Sequence, residues 1–357
     1  VALLVALTLP ARSAGPDAKD VQALVEKAHA FLAKSQGENG SFSPQIAGPG
    51  ITAVVVAGLL QNGYGPEDPV VAKGLAYLEK TVKKDGGIYD KRLANYTTSI
   101  GLLAFREANA GGKYDAIIKN ATAFLKKLQS GDDPENAAYG GVGYDGKTRP
   151  DLSNTNFFLD ALQAAGVPRD DPAVQRALKF VSRCQNLPGE TNDQAFAKKA
   201  TDDDKGGLVY KPFVDPDDKL HTTAEGGLRS MGAMTYGGLK SFLYAGVSKD
   251  DPRVKGAVRW MRTHYTLDEN PGMKQAGLYY YFHTFGKAMA ALGEDLFEDA
   301  RGTKHDWRRE LFEAVKKRQR PDGSFINPGE KMFAEADPNL ATGFALLAVS
   351  YTRPVKK

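Results

Sequence analysis

Three observations predict an all-α fold, an (α/α)6 toroid of six helical hairpins arranged as an inner and an outer ring. A helix ending in Gln and followed by a Gly turn recurs from one end of the chain to the other. A Gly-x4-Asp-Pro junction recurs between these copies. Amphipathic helical segments alternate with segments that are apolar nearly all round.

The Gln copies are "AHAFLAKSQGENGSF" (28–42), "ATAFLKKLQ" (121–129), "ALKFVSRCQ" (177–185) and "AVKKRQRPDGSF" (314–325). Each is an amphipathic helix, and the turns that follow read "NGSF", "YGGVGY", "KGGLVY" and "DGSF". Gly past a helix end supplies the left-handed conformation of a C-terminal cap. The aromatic or aliphatic residue beyond it is placed to pack back on the helix just left. "KKDGGIY" (83–89) is a fifth copy without its Gln.

The junctions are "GYGPEDPVV" (63–71), "GVPRDDPAV" (166–174) and "GVSKDDPRV" (246–254). Asp68, Asp171 and Asp251 are natural N-caps, and the Pro after each occupies the first helical position, where no hydrogen bond is lost. Between the marks lie "ITAVVVAGLLQNG", "YTTSIGLLAFREA", "SNTNFFLDALQAAG", "MTYGGLKSFLYAG", "YYYFHTFGKAMAALG" and "LATGFALLAVS". Their near lack of charge calls for burial on every side, which an enclosed inner ring provides and an open solenoid does not. Residues 17–353 thus read as one toroid domain, with an Asp, Pro, Lys and Gly-rich insertion at 187–231 and a second irregular stretch at 293–304. A long loop in a compact domain is usually functional, and both stretches are expected at an end of the ring.

With 42% hydrophobic and 25% charged residues the chain has ample apolar material for a core. Its net charge of +4 is spread evenly, without a basic block interleaved with aromatics, which argues against a nucleic-acid partner. "VALLVALTLPARSAG" resembles the apolar region and cleavage site of a secretory signal, so residues 1–16 are expected to direct export to the periplasm or beyond. Cys184, the single cysteine, reads as a structural thiol.

With the repeat established, the chain resembles the prenyltransferase and squalene oxidase repeat superfamily, which includes squalene–hopene cyclases. The Gln36 and Gln319 turns are similar to its "QW" motif, with Phe42 and Phe325 in place of Trp. "MTYGGLKSFLYAG" and the segment 265–293 further resemble an uncharacterised bacterial single-barrel branch. The resemblance covers 21–351 and implies an apolar axial cavity. It also has limits: cyclases of this kind pair two barrels, and their D-x-D-D-T-A acid motif is matched only in part by Asp215, Asp217 and Asp218, three residues short of "TTA". The D-x-C zinc element of protein prenyltransferases is missing at Cys184, and no metal or organic cofactor is expected.

If the inner helices ring a cavity, polar groups near their starts gather at one mouth, although Ser, Thr and Asn there also serve as ordinary caps. The aromatic set suits an isoprenoid-like apolar ligand: Tyr96, Asn156, Phe157, Phe158, Tyr279 and Tyr281 are candidate substrate-binding residues, since ring faces stabilise cationic character and grip apolar chains. Core packing is the plainer reading of the same residues. His283 is the candidate general acid or base, with Asp193 as its acidic partner and Tyr236 and Tyr280 beside it.

Three functions remain open at this stage. One is an enzyme or binder acting on an isoprenoid or similar substrate, with peripheral membrane contact. Another is an exported scaffold that keeps the fold without catalysis. The third is a polysaccharide-active toroid, whose paired carboxylates would come from the turns because the inner helices carry few acids, Asp160 and Glu107 among them.

Overall fold

The computed structural model describes residues 15–131 and 133–353 of the 357-residue chain. The expected signal segment, 1–16, lies almost wholly outside the described residues.

Six apolar helices form the inner ring: α3 (Gly50–Gln61), α5 (Ala94–Glu107), α7 (Leu152–Ala164), α9 (Gly232–Tyr244), α11 (Leu278–Leu292) and α13 (Pro338–Ser350). Each packs on the next, and α13 packs on α3, so the ring closes. The outer layer comprises α1 (Ala18–Ser35), α4 (Pro69–Lys80), α6 (Asp115–Lys127), α8 (Pro172–Arg183), α10 (Pro252–Thr263) and α12 (Trp307–Lys316). A single turn, α2 (Pro44–Ala47), precedes α3. The (α/α)6 toroid expected from the alternation is the observed fold. Enclosure explains the composition of the inner segments, because α3 and α13 bury almost every position and leave a charged side chain nowhere to be solvated.

The Asp-Pro junctions work as the sequence indicates. Asp68, Asp171 and Asp251 each accept a backbone N–H from the first turn of α4, α8 and α10, with Pro at the first helical position.

The recurring Gln proves to be a clasp between neighbouring outer helices. Gln36 Nε2 donates to Gly40 O at 3.0 Å and to Val70 O of α4 at 2.9 Å. Gln129 spans Gly140 O and Ala173 O of α8, both at 2.8 Å, and Gln185 spans Gly206 O and Arg253 O of α10 at 2.9 and 2.8 Å. Gln319 binds Gly323 O at 3.1 Å and Leu24 O of α1 at 2.9 Å, which ties the last outer helix to the first. The Gly in each turn is required by both torsion and space. At Gly140 φ is +81°, and at Gly323 it is +90° with a Cβ that would lie 2.1 Å from Lys27 O of α1.

A second bond joins each turn to the inner ring. The backbone N–H groups of Phe42, Ile88, Val142, Leu208 and Phe325 donate to the hydroxyls of Thr52, Thr98, Thr155, Thr235 and Thr342 at 2.8–3.0 Å. All five donor residues are fully buried. The inner-helix threonines therefore hold the outer turns rather than face an axial ligand.

The insertion at 187–231 links the C-terminal end of an outer helix to the N-terminal end of α9, and so lies at the inner helices' N-terminal mouth. The stretch after α11 folds into a small hairpin, β1 (Phe297–Glu298) against β2 (Lys304–His305), at the opposite end. Cys184 is buried at the end of α8, and burial pushes its thiol up. Among the described residues no helix is long and apolar enough to cross a membrane.

Gln319→Ala removes the tie to α1 and leaves the buried Gly323 carbonyl short of a donor, and should lower unfolding free energy by about 1–3 kcal/mol in a urea titration. Gly323→Ala should cost at least as much, whereas an exposed substitution such as Lys34→Ala should shift the midpoint little.

Candidate functional site

The inner helices all begin at the same end of the ring, and their first turns enclose a cavity of about 490 Å³. Ile51 of α3, Tyr96 of α5, Ser153 and Phe157 of α7, Met234 of α9, Tyr280 of α11 and Phe344 of α13 form its walls. The loops complete it with Ile46, Tyr144, Tyr210, His221, Met273, Met332, Phe333 and Glu335. Aromatic contacts stiffen one side: Phe157 lies edge-on to Tyr96 with centroids 4.9 Å apart and 5.7 Å from Tyr280. Exposed apolar side chains at the rim, Met332 (63%), Phe333 (38%) and Ile46 (36%), extend this character to the surface.

The polar groups of the wall are clustered. Ser153 Oγ donates to the Tyr280 hydroxyl at 3.0 Å, and the Tyr144 and Tyr210 hydroxyls lie 3.4 Å apart. Behind them Asp151 caps α7, accepting from the backbone N–H and Nδ2 of Asn154, both at 2.8 Å. Burial raises the Asp151 carboxyl to about 6, although the Asn154 bonds and the Tyr210 hydroxyl pull it back. His221 stacks on Tyr210 and binds Asp218 through Nδ1 at 2.7 Å.

Glu335, fully buried, borders the cavity near the start of α11. One carboxylate oxygen accepts the Tyr280 N–H at 2.8 Å and the other accepts Asn327 Nδ2 at 2.9 Å. Burial raises Glu335 to about 7, against the pull of those donors. Each oxygen keeps a second lone-pair direction, so the protonated acid retains a hydroxyl with which to donate.

Of the residues singled out from the sequence, Tyr96, Phe157 and Tyr280 border this cavity. Phe158, Tyr236, Tyr279 and Tyr281 are packed away from it. Tyr281 donates to Thr266 O and meets Tyr236 edge-on, and Tyr279 packs against Phe325. His283 lies deeper along the axis, and burial together with the Lys287 charge lowers it to about 3, so it stays neutral at physiological pH. Asp193 is not its partner; it is exposed and faces Arg183 at 3.7 Å. The carboxylate whose charge His283 feels is Asp160, which also lines the deep void with Asn156. Asp215 and Asp217 are exposed in the insertion loop, and Asp218 is engaged by Lys211 and His221, so the three do not meet at the cavity as an acid motif would.

The sequence reading passed over Asp151, Glu335, Tyr144, Tyr210 and the cavity methionines. Asp151 reads as a plain cap, and Glu335 gains significance only because the 327–335 turn folds back over α11. Among the described residues no group of three His, Cys, Asp or Glu side chains is placed to hold a metal ion.

Residues 44–202 match the family model described as squalene-hopene cyclase C-terminal domain. That match spans somewhat under half of the chain and marks a likeness to the squalene-hopene cyclases. Solved structures with the same architecture include a type II terpene cyclase from Scytonema in complex with merosterolic acid A, at 13% identity and a TM-score of 0.56, covering 93% of this chain and 97% of that one. A protein from Actinoplanes gives 16% identity and 0.54 over 93% and 99%. A possible member of GH105 family from Salmonella enterica gives 11% and 0.56 over 98% of each chain. At such identities these likenesses concern the fold alone. No curated protein matches the sequence.

Within this ring, Glu335 ties stability to pH. Its folded value of about 7 exceeds the ordinary 4.5, so between those limits the folded protein holds a proton that the unfolded chain has released. That contribution is complete below about pH 4.5 and is lost as pH rises to about 7. The difference in unfolding free energy between wild type and Glu335→Gln should therefore shift against the wild type from pH 4.5 to 7 and level off above, as measured by urea denaturation.

Proposed function

We propose that this chain binds an isoprenoid or similarly apolar molecule with one polar end in the cavity at the inner-ring mouth. The observation that carries this reading is the cavity itself, of a volume suited to a small-molecule ligand and walled mainly by aromatic, aliphatic and Met side chains. Tyr96, Phe157, Tyr280 and Phe344 would flank the hydrocarbon. Ser153, Tyr144, Tyr210 and Glu335 supply hydrogen bonds for the polar end. The exposed Ile46, Met332 and Phe333 support entry of the ligand from a membrane surface, where such molecules reside.

The carboxyl groups favour mild chemistry. Protonating an isolated alkene calls for an unusually strong acid, whereas burial makes Asp151 and Glu335 weaker acids than usual. A group with a value near 7 is matched to general acid–base work at a hydroxyl, carbonyl or allylic position. Apolar walls count against a sugar-polymer substrate, although a structure described as a polysaccharide lyase has a similar fold at a TM-score of 0.53.

The test uses the purified full chain with geranylgeraniol and squalene as probes, together with mass spectrometry of lipids extracted from the fresh protein. We expect a polyprenyl probe to raise the Tm, and Met234→Trp, which fills the cavity, to abolish the rise while a cooperative thermal transition remains. No shift with either probe and no polyprenyl compound in the extract would overturn the reading.

A further inference from the structure

The polar side chains of the cavity wall are hydroxyls and amides, apart from Glu335 and His221. Among the described residues no Lys or Arg borders the cavity. His221 binds Asp218, which Lys211 also engages, so that corner carries its own counter-charge. Lys240 and Lys287 border a smaller void beneath, past Phe157 and Tyr280, and both bind Asp160 there, at 2.5 and 2.9 Å.

Helix N-termini can stand in for basic side chains as an anion cradle, and all six inner helices begin at this mouth. Four of those starts are already occupied. The Asn154 N–H of α7 goes to Asp151 at 2.8 Å and the Ala233 N–H of α9 to Asn270 Oδ1 at 3.0 Å. The Tyr280 N–H of α11 goes to Glu335 at 2.8 Å and the Leu340 N–H of α13 to Asp337 at 2.9 Å. Three of the four acceptors are carboxyl groups, which offset the positive helix ends from within the protein. A phosphate or diphosphate placed here would meet acids and apolar walls with no basic side chain beside it, a costly setting for a buried charge.

The hydroxyls, by contrast, have protons to give. Ser153 Oγ and the Tyr280 hydroxyl share one bond at 3.0 Å, and whichever way it runs one proton of the pair is left over. Tyr96 borders the cavity, and its hydroxyl has no hydrogen-bond partner among the described residues. Tyr144 and Tyr210 differ, because their hydroxyls bond each other at 3.4 Å beside Asp151, an acceptor for their other proton. Burial pushes the Tyr96 hydroxyl up, and Tyr280, Tyr144 and Glu335 lie close enough to add to the effect; burial raises Tyr280 as well. Both phenols therefore stay protonated, two donors on one stretch of wall.

On the reading given above, that the cavity takes an apolar molecule with one polar end, we propose that this end is an uncharged carbonyl, as in a polyprenyl ketone or quinone. Its oxygen is received by the Tyr96 hydroxyl and the Ser153–Tyr280 pair, and phosphorylated prenyl chains are excluded. The two lone pairs of one carbonyl oxygen match the two spare protons, and the group brings neither charge nor proton of its own. An amine would suit the aromatic walls and Glu335 but would leave both phenol protons without an acceptor.

The experiment measures, by isothermal titration calorimetry on the purified full chain, the binding of geranylgeranylacetone (a ketone), geranylgeranyl diphosphate, geranylgeranylamine and squalene. The ketone should bind about tenfold or more tighter than the diphosphate and the amine. Tyr96→Phe keeps the ring and removes the hydroxyl, so the ketone's advantage over squalene should fall about fivefold. Tyr280→Phe should act in the same direction and serves if the first variant does not fold. Binding of squalene with no preference for the ketone over the diphosphate would overturn this inference and leave the apolar-ligand reading standing, as would a ketone affinity indifferent to both substitutions. Tighter binding of the diphosphate or the amine would overturn it too. If none of the four probes binds, both readings fall together.

Discussion

The side-chain amide of a glutamine at the end of an outer helix is the interaction on which this architecture turns. One amide nitrogen with two hydrogens meets two carbonyls, one in its own turn and one in the first turns of the neighbouring outer helix, where the carbonyl accepts it in addition to its own helical bond. The clasp thus fixes the spacing between consecutive outer helices. The backbone N–H past the glycine then reaches a threonine hydroxyl of the inner ring, so one short turn registers both layers. At the α4 turn the Gln is missing, yet Gly86 keeps its positive φ and Ile88 keeps its bond to Thr98, which shows that the inner-ring contact survives without the outer one.

This registration sets up the mouth. Because five of the six inner helices are entered from such a turn, and α11 packs between two of them, all six begin at one level, and whatever side chains occupy their first turn and a half face one another across the axis. Aromatic and Met residues there leave a space. One to two turns deeper, Asp160, Lys240 and Lys287 fill the axis instead. Hollow top and charged centre are consequences of the same geometry applied to different residue types.

Much of the fold was legible in the sequence. The Gln copies, the Asp-Pro caps and the alternation of amphipathic with apolar helices each have a local physical cause, and together they define twelve principal helices and two layers. Ring closure was legible only indirectly, through the need to bury a charge-free layer. The site was harder to read. Tyr96, Phe157 and Tyr280 were found because they sit within the first turns of inner helices, but Tyr279 and Tyr281, their neighbours by a single residue, point into the wall. Helical phase decides this, and a run of three tyrosines hides it. Glu335 and Tyr210 arrive on loops whose path no periodicity encodes. Asp160, Lys240 and Lys287 did leave a trace, each a lone charge in an apolar helix, but only their convergence in space gives them meaning.

The bond from Gln319 to Leu24 makes the first and last outer helices neighbours at a seam like any other in the outer wall. A stack that closes on itself has no terminal face, so it cannot lengthen by acquiring another hairpin as open superhelical proteins do. Novelty must be spliced into the connections between existing helices. The 187–231 insertion is placed accordingly: it adds Tyr210 and His221 to the rim without changing the circumference of the barrel.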